Sequence, residues 1–547
     1  MVDLGNQRYS RSDEAFFVRS PVLRAIVNLS DSRKLTIYCG AGVTMDRTER
    51  GWGDLVHSLL KSLEGRPSAN MLTSKEAEQL RDSLTPLELA SIYEKYVSNT
   101  LTLKRERVER DTPVLQEMLY ESAGWESGIL VKNVARLAFG LTLLGREVEI
   151  VTTNYDVYVE EELIDYRRKL LAVKAIEVPG LRFETLGGKQ ARVPLAPRGP
   201  VGSLRLTYLH GRVPRTGKTL GKLALSEVDY YMNQDAVVAD LKEKIGKGGM
   251  LIIGSSLSDP PLLHALRATS TDFGSRVAIV PSTSTHLLKY GASDYPRLVT
   301  HLQQRMATLN VELIVPDFHL QIAQFLQETL ACVSMGSTFR DYARENPKAP
   351  ERYGERLMSW WRTWSASADA NDHVKLSSRL RNALSDLREM ESWGANPNEI
   401  FKLELWVRYQ PAQARALALW AGSTGVLHSR ETIKIEDLDV ATNNASVRAF
   451  IEGKPIWLAR DDSSVDLKRR KREWIGGLDG RWSRYLAIPI RLEHDASSHI
   501  PVGVITLAGL TVNHGAPSAS NVPVHNVSAM EEIIDRLAAL GATLLVS

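Results

Sequence analysis

Residues 35–39, LTIYC, form an apolar, β-branched run that stops at Gly40-Ala41-Gly42. A strand buried on both faces needs such a run, and a glycine turn directly after it is how a parallel strand passes into a helix. The pattern recurs. VEIVTTNYD (148–156), LRLTYLHG (204–211), GMLIIGSSLSD (249–259), RVAIVPS (276–282) and NVELIVPD (310–317) are further apolar runs, with helical segments between them. Strands alternating with helices predict an α/β fold, a doubly wound parallel sheet of Rossmann type. Helical spacing of Trp52, Leu55, Val56, Leu59, Leu60 and Leu63 predicts a helix over 52–63. Residues 75–123 read as a mostly helical insertion beside the sheet, and the Pro/Gly-rich stretch 179–203 reads as a loop. A helix over 319–334 would close this unit.

Length and composition limit what else the chain can be. At 547 residues it exceeds what one core supports. Hydrophobic residues at 43% and charged residues at 24% are ordinary for a globular protein. Lys and Arg total 68 against 65 Asp and Glu, a net charge of +3, so bulk charge does not point to nucleic acid. Cys39 and Cys332 form no CxxC pair, which leaves neither a disulfide framework nor a zinc ribbon. No stretch nears the roughly 18 apolar residues of a membrane helix, and the first residues lack the apolar segment of a secretion signal. A cytoplasmic location without a membrane partner is therefore expected.

Past residue 335 the texture changes. Residues 336–370 read as a helical linker, in which Trp360, Trp361 and Trp364 share one helical face as core or as a seam between subunits. A helix over 372–391 has an apolar face of Leu376, Leu380, Ala383, Leu384 and Leu387. Then come alternating strands: KLELWVRY and RALALWAGS as a hairpin, followed by KPIWLAR, RYLAIPIRL and PVGVITLAG. The basic run Lys468-Arg469-Arg470-Lys471-Arg472 is either a solvated loop or a contact for phosphate, nucleic acid or an acidic protein.

In an open α/β sheet, ligands bind beyond the carboxyl ends of the strands. Those ends carry Gly40-Ala41-Gly42-Val43-Thr44, Asn154-Tyr155-Asp156, His210-Gly211 and Gly254-Ser255-Ser256. Glycines there let backbone N–H groups approach a diphosphate, although Met45 replaces the third glycine of the full dinucleotide fingerprint. Each has a plainer reading: an Asx turn for Asn154 and Asp156, and a structural histidine for His210.

GAGVT, TNYD, LHG and GSSL, in this order, resemble the NAD-binding domain of sirtuins over roughly residues 20–335. The resemblance implies that Asn154 and Asp156 lie against the nicotinamide ribose and that His210 is catalytic. It also implies that Gly40, Ala41, Gly42, Val43 and Thr44, with Gly254, Ser255 and Ser256, hold the diphosphate and adenosine side. Trp52 and Asp317 complete the expected cofactor-binding set. Trp52 stands in Arg50-Gly51-Trp52-Gly53, where protein-deacylating sirtuins carry Pro-x-Phe-Arg. Those enzymes also have a four-cysteine zinc ribbon that this chain cannot build. Both departures resemble the bacterial sirtuin-like subgroup without zinc ribbon, which hydrolyses NAD+ as an effector of anti-phage defence. The resemblance thus implies NAD+ as substrate, no metal, and a domain spanning 1–335.

Residues 371–547 resemble a GAF domain, carried by the LWVRY–LALWAG hairpin, SVRAFIEGKPIWLAR and the pair RYLAIPIRL and IPVGVITLAG. Such domains bind small molecules or dimerise. This implies a homo-oligomer and an activating nucleotide or protein partner.

Breaking the bond between nicotinamide and ribose builds positive charge on the ribose, and the leaving group is already cationic. The site must orient hydroxyls, stabilise that charge and place one water. Asn154 can hold a hydroxyl or water, Asp156 can supply an acceptor and counter-charge, and His210, titrating near neutrality, can take a proton. The expected activity is that of an NAD+ glycohydrolase. A protein deacylase or ADP-ribosyltransferase would use the same pocket, and a non-catalytic sensor of NAD or ADP-ribose is a third reading.

Overall fold

The computed structural model describes residues 20–48, 51–62, 79–80, 83–98, 111–121, 128–172, 177–199, 201–221, 223–246, 248–270, 274–281, 295–316, 320–335, 353–390, 399–409, 416–423, 435–437, 444–453, 455–459, 484–491, 501–511 and 527–545. Two sheets organise the chain.

In chain order the first unit runs α1 (Ser20–Asp31), β1 (Lys34–Cys39), α2 (Trp52–Lys61), α3 (Pro86–Ser98), α4 (Ile129–Leu143), β2 (Glu147–Thr152), α5 (Tyr158–Ala172), β3 (Gly180–Thr185), β4 (Lys189–Leu195), β5 (Ser203–Tyr208) and α6 (Glu227–Ile245). It continues with β6 (Gly249–Ile253), α7 (Pro260–Ala268), β7 (Arg276–Ile279), α8 (Tyr295–Ala307), β8 (Glu312–Ile314) and α9 (Leu320–Met335). Its strands bond in the order β4-β3-β5-β2-β1-β6-β7-β8. All neighbours are parallel except β3 and β4.

Strand β1 sits at the centre because its residues are buried on both sides. Leu35, Ile37 and Cys39 pack with α1, α4 and α9, whereas Tyr38 packs with α6 and α7. The chain leaves β1 toward β2 and β5 and later returns to its other side at β6. That reversal creates a crevice at the carboxyl end of β1. Over one end of it lies a helical insertion, α3 with residues 111–121, held by a core of Leu55, Leu59, Tyr93, Leu115, Met118 and Val213.

The expected loop over 179–203 is partly a hairpin. β3 alternates Leu181 and Phe183 into the core, and Gly187 and Gly188 adopt φ of +83° and +74° to turn the chain. The prolines misled because Pro194 falls on β4, an edge strand, where a missing N–H is tolerated.

The second unit comprises α10 (Tyr353–Ala366), α11 (Ala368–Asn371), α12 (His373–Arg388), β9 (Glu399–Tyr409), β10 (Ala416–Gly422), β11 (Ile435–Asp437), α13 (Ala445–Glu452), β12 (Ile456–Ala459), β13 (Arg484–Arg491), β14 (Pro501–Thr511) and α14 (Val527–Leu545). Its antiparallel sheet has the order β11-β10-β9-β14-β13-β12. The expected β9–β10 hairpin forms.

Helix α10, expected in the linker, is part of this unit's core. Trp360 and Trp364 are buried there with Leu357, Leu380 and Leu405. Their indole N–H groups donate to Leu545 O (2.6 Å) and Leu544 O (3.1 Å), which ties α10 to the end of α14. Ile129 of α4 and Ala323 of α9 join the same apolar cluster. Of the two alternatives for these tryptophans, the structure realises the core. The basic run 468–472 lies outside the described residues. Among the described residues, no helix is long and apolar enough to cross a membrane.

Candidate functional site

The glycine turn after β1 and the loop after β6 are built against each other. Gly40 N–H donates to Ile253 O (2.9 Å) and Gly42 N–H to Gly254 O (2.8 Å). A Cβ on Gly40 would stand 2.5 Å from Gly254 O, and one on Gly42 2.8 Å from Gly254 Cα. Gly254 has φ of +65°, and its own Cβ would meet Val43 N at 2.4 Å. The glycines are therefore demanded by backbone-to-backbone contact. The N–H groups of Gly40 and Gly42, expected to face a diphosphate, are spent on the neighbouring strand end. Val43 directs its side chain into the core, whereas Ala41 is exposed at the tip of the turn. Ser255 Oγ accepts from Leu257 N–H (3.1 Å), and Leu257 holds a left-handed φ of +55° that is rare outside glycine. Ser256 is exposed beside it, its hydroxyl 2.6 Å from that of Ser258.

Thr44 joins the turn to the end of β2. Its hydroxyl accepts from Asn154 Nδ2 (3.1 Å) and donates to Asp156 Oδ2 (2.8 Å). Asp156 Oδ1 accepts from Tyr158 N–H (3.1 Å), an Asx turn that opens α5. Both Asp156 oxygens thus have partners within the protein. Within the protein it orients Thr44 and caps α5. Asn154 differs. Its N–H is held by Thr152 Oγ1 (3.0 Å) and its amide nitrogen by Thr44, while its Oδ1 is shielded and has no partner among the described residues.

His210 follows β5 and is 2% exposed. Its carbonyl accepts from Ala224 N–H (3.1 Å), and the Tyr155 hydroxyl donates to Ala224 O (2.6 Å), which fixes its backbone. Neither ring nitrogen has a partner among the described residues. Burial without a compensating charge pushes its pKa down to about 4. The expectation of titration near neutrality is thus corrected: His210 is a neutral imidazole at pH 7, able to accept a proton but reluctant to hold it.

Tyr230 on α6, which the sequence reading missed, lies against His210 with ring centroids 4.6 Å apart. Trp52, the first residue of α2, is 5.9 Å from the same tyrosine, and its Nε1 is shielded without a partner among the described residues. Leaving such groups desolvated and unpaired costs about 1–3 kcal/mol each. An Asn154 acceptor, a Trp52 donor and an imidazole able to do either are what a ligand bearing hydroxyls and a carbonyl would satisfy. Asp317 lies outside the described residues. No group of three or more His, Cys, Asp or Glu suited to a metal ion occurs among the described residues.

A polar cleft of about 460 Å³ lies elsewhere, centred on Lys34 and Glu147, the first residues of β1 and β2. Most of its charges pair with one another: Lys34 with Glu147 (2.9 Å), Lys244 with Asp240 (3.1 Å) and Arg205 with Glu149 (3.4 Å), while Asp240 Oδ2 has no partner among the described residues. The strand-end crevice, with its unpaired groups, is the better candidate.

One comparison bears on the family likeness of this crevice. Residues 148–304 match the family model of the SIR2-like domain. The match spans β2 to α8 and so contains Asn154, Asp156, His210 and the loop at Gly254, while the turn at Gly40 precedes it. It supports a sirtuin-like domain and NAD-related chemistry, since SIR2-like domains use NAD+. A SIR2-like domain over these residues is consistent with an NAD-dependent enzyme. A solved structure described as "Structural Basis for the Mechanism and Regulation of Sir2 Enzymes" aligns with 58% of this chain and 98% of its own. At 11% identity and a TM-score of 0.26, that alignment adds nothing to the sheet order above. No curated protein matches the chain.

Proposed function

We propose that the protein hydrolyses NAD+ to nicotinamide and ADP-ribose. The observation that carries this reading is the pairing of an unpartnered Asn154 Oδ1 with a neutral, unpartnered His210 at adjacent strand ends. Asn154, held by Thr44, accepts from a ribose hydroxyl or the attacking water, and its geometry costs nothing to reorganise during reaction. His210 takes the proton released as that oxygen becomes nucleophilic. Because its pKa lies far below 7, the imidazole is in the accepting form throughout the physiological range. The turn at Gly40 and the loop at Gly254 line the diphosphate side, and Trp52 offers an N–H to an oxygen of the ligand.

The domain assignment is part of the same reading: a catalytic unit over 1–335 and a GAF-like unit over 371–547, with α10 of the expected linker 336–370 packed into the second unit's core. The role is that of a regulated cytoplasmic effector which depletes NAD+ in bacterial anti-phage defence. Self-association and an activating nucleotide or protein bound by the GAF-like unit would control it. A deacylase would use the same pocket with an acylated peptide in place of water as acceptor.

Mass spectrometry of NAD+ incubated with the purified chain, alone and with candidate activators, tests these readings. Nicotinamide with free ADP-ribose supports hydrolysis, and acylated ADP-ribose formed with an acyl-peptide supports the deacylase. Asn154→Ala and His210→Ala should each lower cleavage on the order of 100-fold. Full activity in both folded variants would overturn the mechanism.

A further inference from the structure

Asp259 ends the loop that follows β6 and occupies the cap position of α7. An aspartate there normally accepts from N–H groups of the first helical turn. Here Pro260 and Pro261 fill the first two helical positions, where neither has an N–H, and the carboxylate makes no capping bond. It turns instead toward β1, where Oδ2 accepts from the Tyr38 hydroxyl at 2.6 Å. Oδ1 is shielded and without a partner among the described residues, the condition also found at Asn154 Oδ1 and both His210 nitrogens. Tyr230, the residue against His210, feels the Asp259 charge.

We propose that Asp259 is a further ligand-contacting residue of this site, whose Oδ1 accepts a hydrogen bond from a sugar hydroxyl of the bound nucleotide while Tyr38 holds Oδ2. The inference rests on the nucleotide-cleaving reading above and adds a specificity residue to it. Pro261 removes one of the two N–H groups that could cap onto the carboxylate, and Tyr38 aims it away from the other. A carboxylate accepts from a hydroxyl but repels a phosphate, so this corner selects the sugar part of the ligand. Burial raises the Asp259 pKa to about 6, and the Tyr38 hydrogen bond opposes that rise. The titratable groups facing it, Tyr38 on β1 and Tyr230 on α6, are pushed upward by burial and stay neutral across this range.

The test is calorimetric binding of ADP-ribose to the full chain, with Asp259→Asn and Tyr38→Phe beside the wild type. At pH 7.5 Asp259→Asn should bind on the order of tenfold more weakly, the loss of one charge-assisted hydrogen bond. It should also melt at or above the wild-type temperature. A raised folded pKa means that ionised Asp259 disfavours folding as pH rises through 6, and the amide removes that effect. Wild-type affinity should weaken as pH falls through about 6, whereas the Asn variant should be flat. Tyr38→Phe should keep binding with its inflection moved upward, because the donor that favours the ionised form is gone. Wild-type affinity and pH profile in Asp259→Asn would overturn the inference while leaving the proposed function standing. A wild-type chain that neither binds ADP-ribose nor cleaves NAD+ would sink both.

Discussion

Replacing Glu160 with glutamine should unsettle the site without touching it. Glu160 lies on the first turn of α5 and is fully buried. It accepts from Arg212 Nε (2.8 Å) and Nη2 (2.9 Å), the Tyr208 hydroxyl (3.1 Å) and Arg192 Nη1 (3.1 Å). Arg212 stands two residues beyond His210, and α5 is opened by Asp156, so this carboxylate ties two ligand-facing strand ends together. Glu160→Gln keeps the shape but leaves the Arg212 guanidinium in low dielectric without its counter-charge. Removing one partner of a buried pair costs about 3–5 kcal/mol. At about 2–4 °C per kcal/mol for a unit of this size, the melting temperature should fall by roughly 6–20 °C. Thermal scanning of the full chain, with the transition assigned by hydrogen exchange of the α5 amides, measures it. The double variant Glu160→Gln/Arg212→Met should lose less than the sum of the two singles, because no charge is stranded. A single variant that melts within about 1 °C of wild type, or two losses that simply add, would refute the reasoning.

Three further expectations follow from the same geometry. Gly254→Ala should lose about 2–5 kcal/mol, from forcing φ of +65° on a Cβ and from the 2.4 Å approach to Val43 N; denaturant unfolding checks it, and an unchanged midpoint would mean the loop moves freely. His210 has a folded pKa of about 4 against 6.5 unfolded, so it contributes stability above pH 6.5 that is lost as pH falls toward 4. This amounts to on the order of 3 kcal/mol. His210→Gln should flatten that part of the stability profile, and an unchanged profile would show that the imidazole is not buried neutral. Trp364→Ala should destabilise the second unit by about 3–5 kcal/mol, with the mass of any assembly by light scattering unaltered. A change of mass without loss of stability would return this tryptophan to a subunit seam.

Much of the first sheet was legible because buried parallel strands leave an unambiguous trace. LTIYC, GMLII and RVAI are apolar at nearly every position, and a glycine or proline follows within two residues of each strand's end. The edge hairpin was not legible. A strand with one wet face and a proline looks like a loop when prolines and glycines are counted. The strand-end rule picks out Asn154, Asp156 and His210 as candidates at the ends of adjacent strands, since it depends on topology alone. It could not divide labour among them. That Asp156 spends both oxygens inside the protein while Asn154 keeps one in reserve is a matter of a few ångströms.

The sequence by itself determined the alternation of strand and helix, the place of the crevice and the candidate residues along it, because these follow from local periodicity and chain connectivity. Only the tertiary structure decided what those residues are. Burial behind Tyr230 turns His210 from a near-neutral titrating group into a neutral base, and Tyr38, 221 positions earlier in the chain, claims one oxygen of Asp259. The same holds for the glycines at 40 and 42, whose need for a bare Cα comes from Gly254 in the loop after β6. Desolvation and close contact arise between segments that are remote in sequence, so no local pattern of residue types records them.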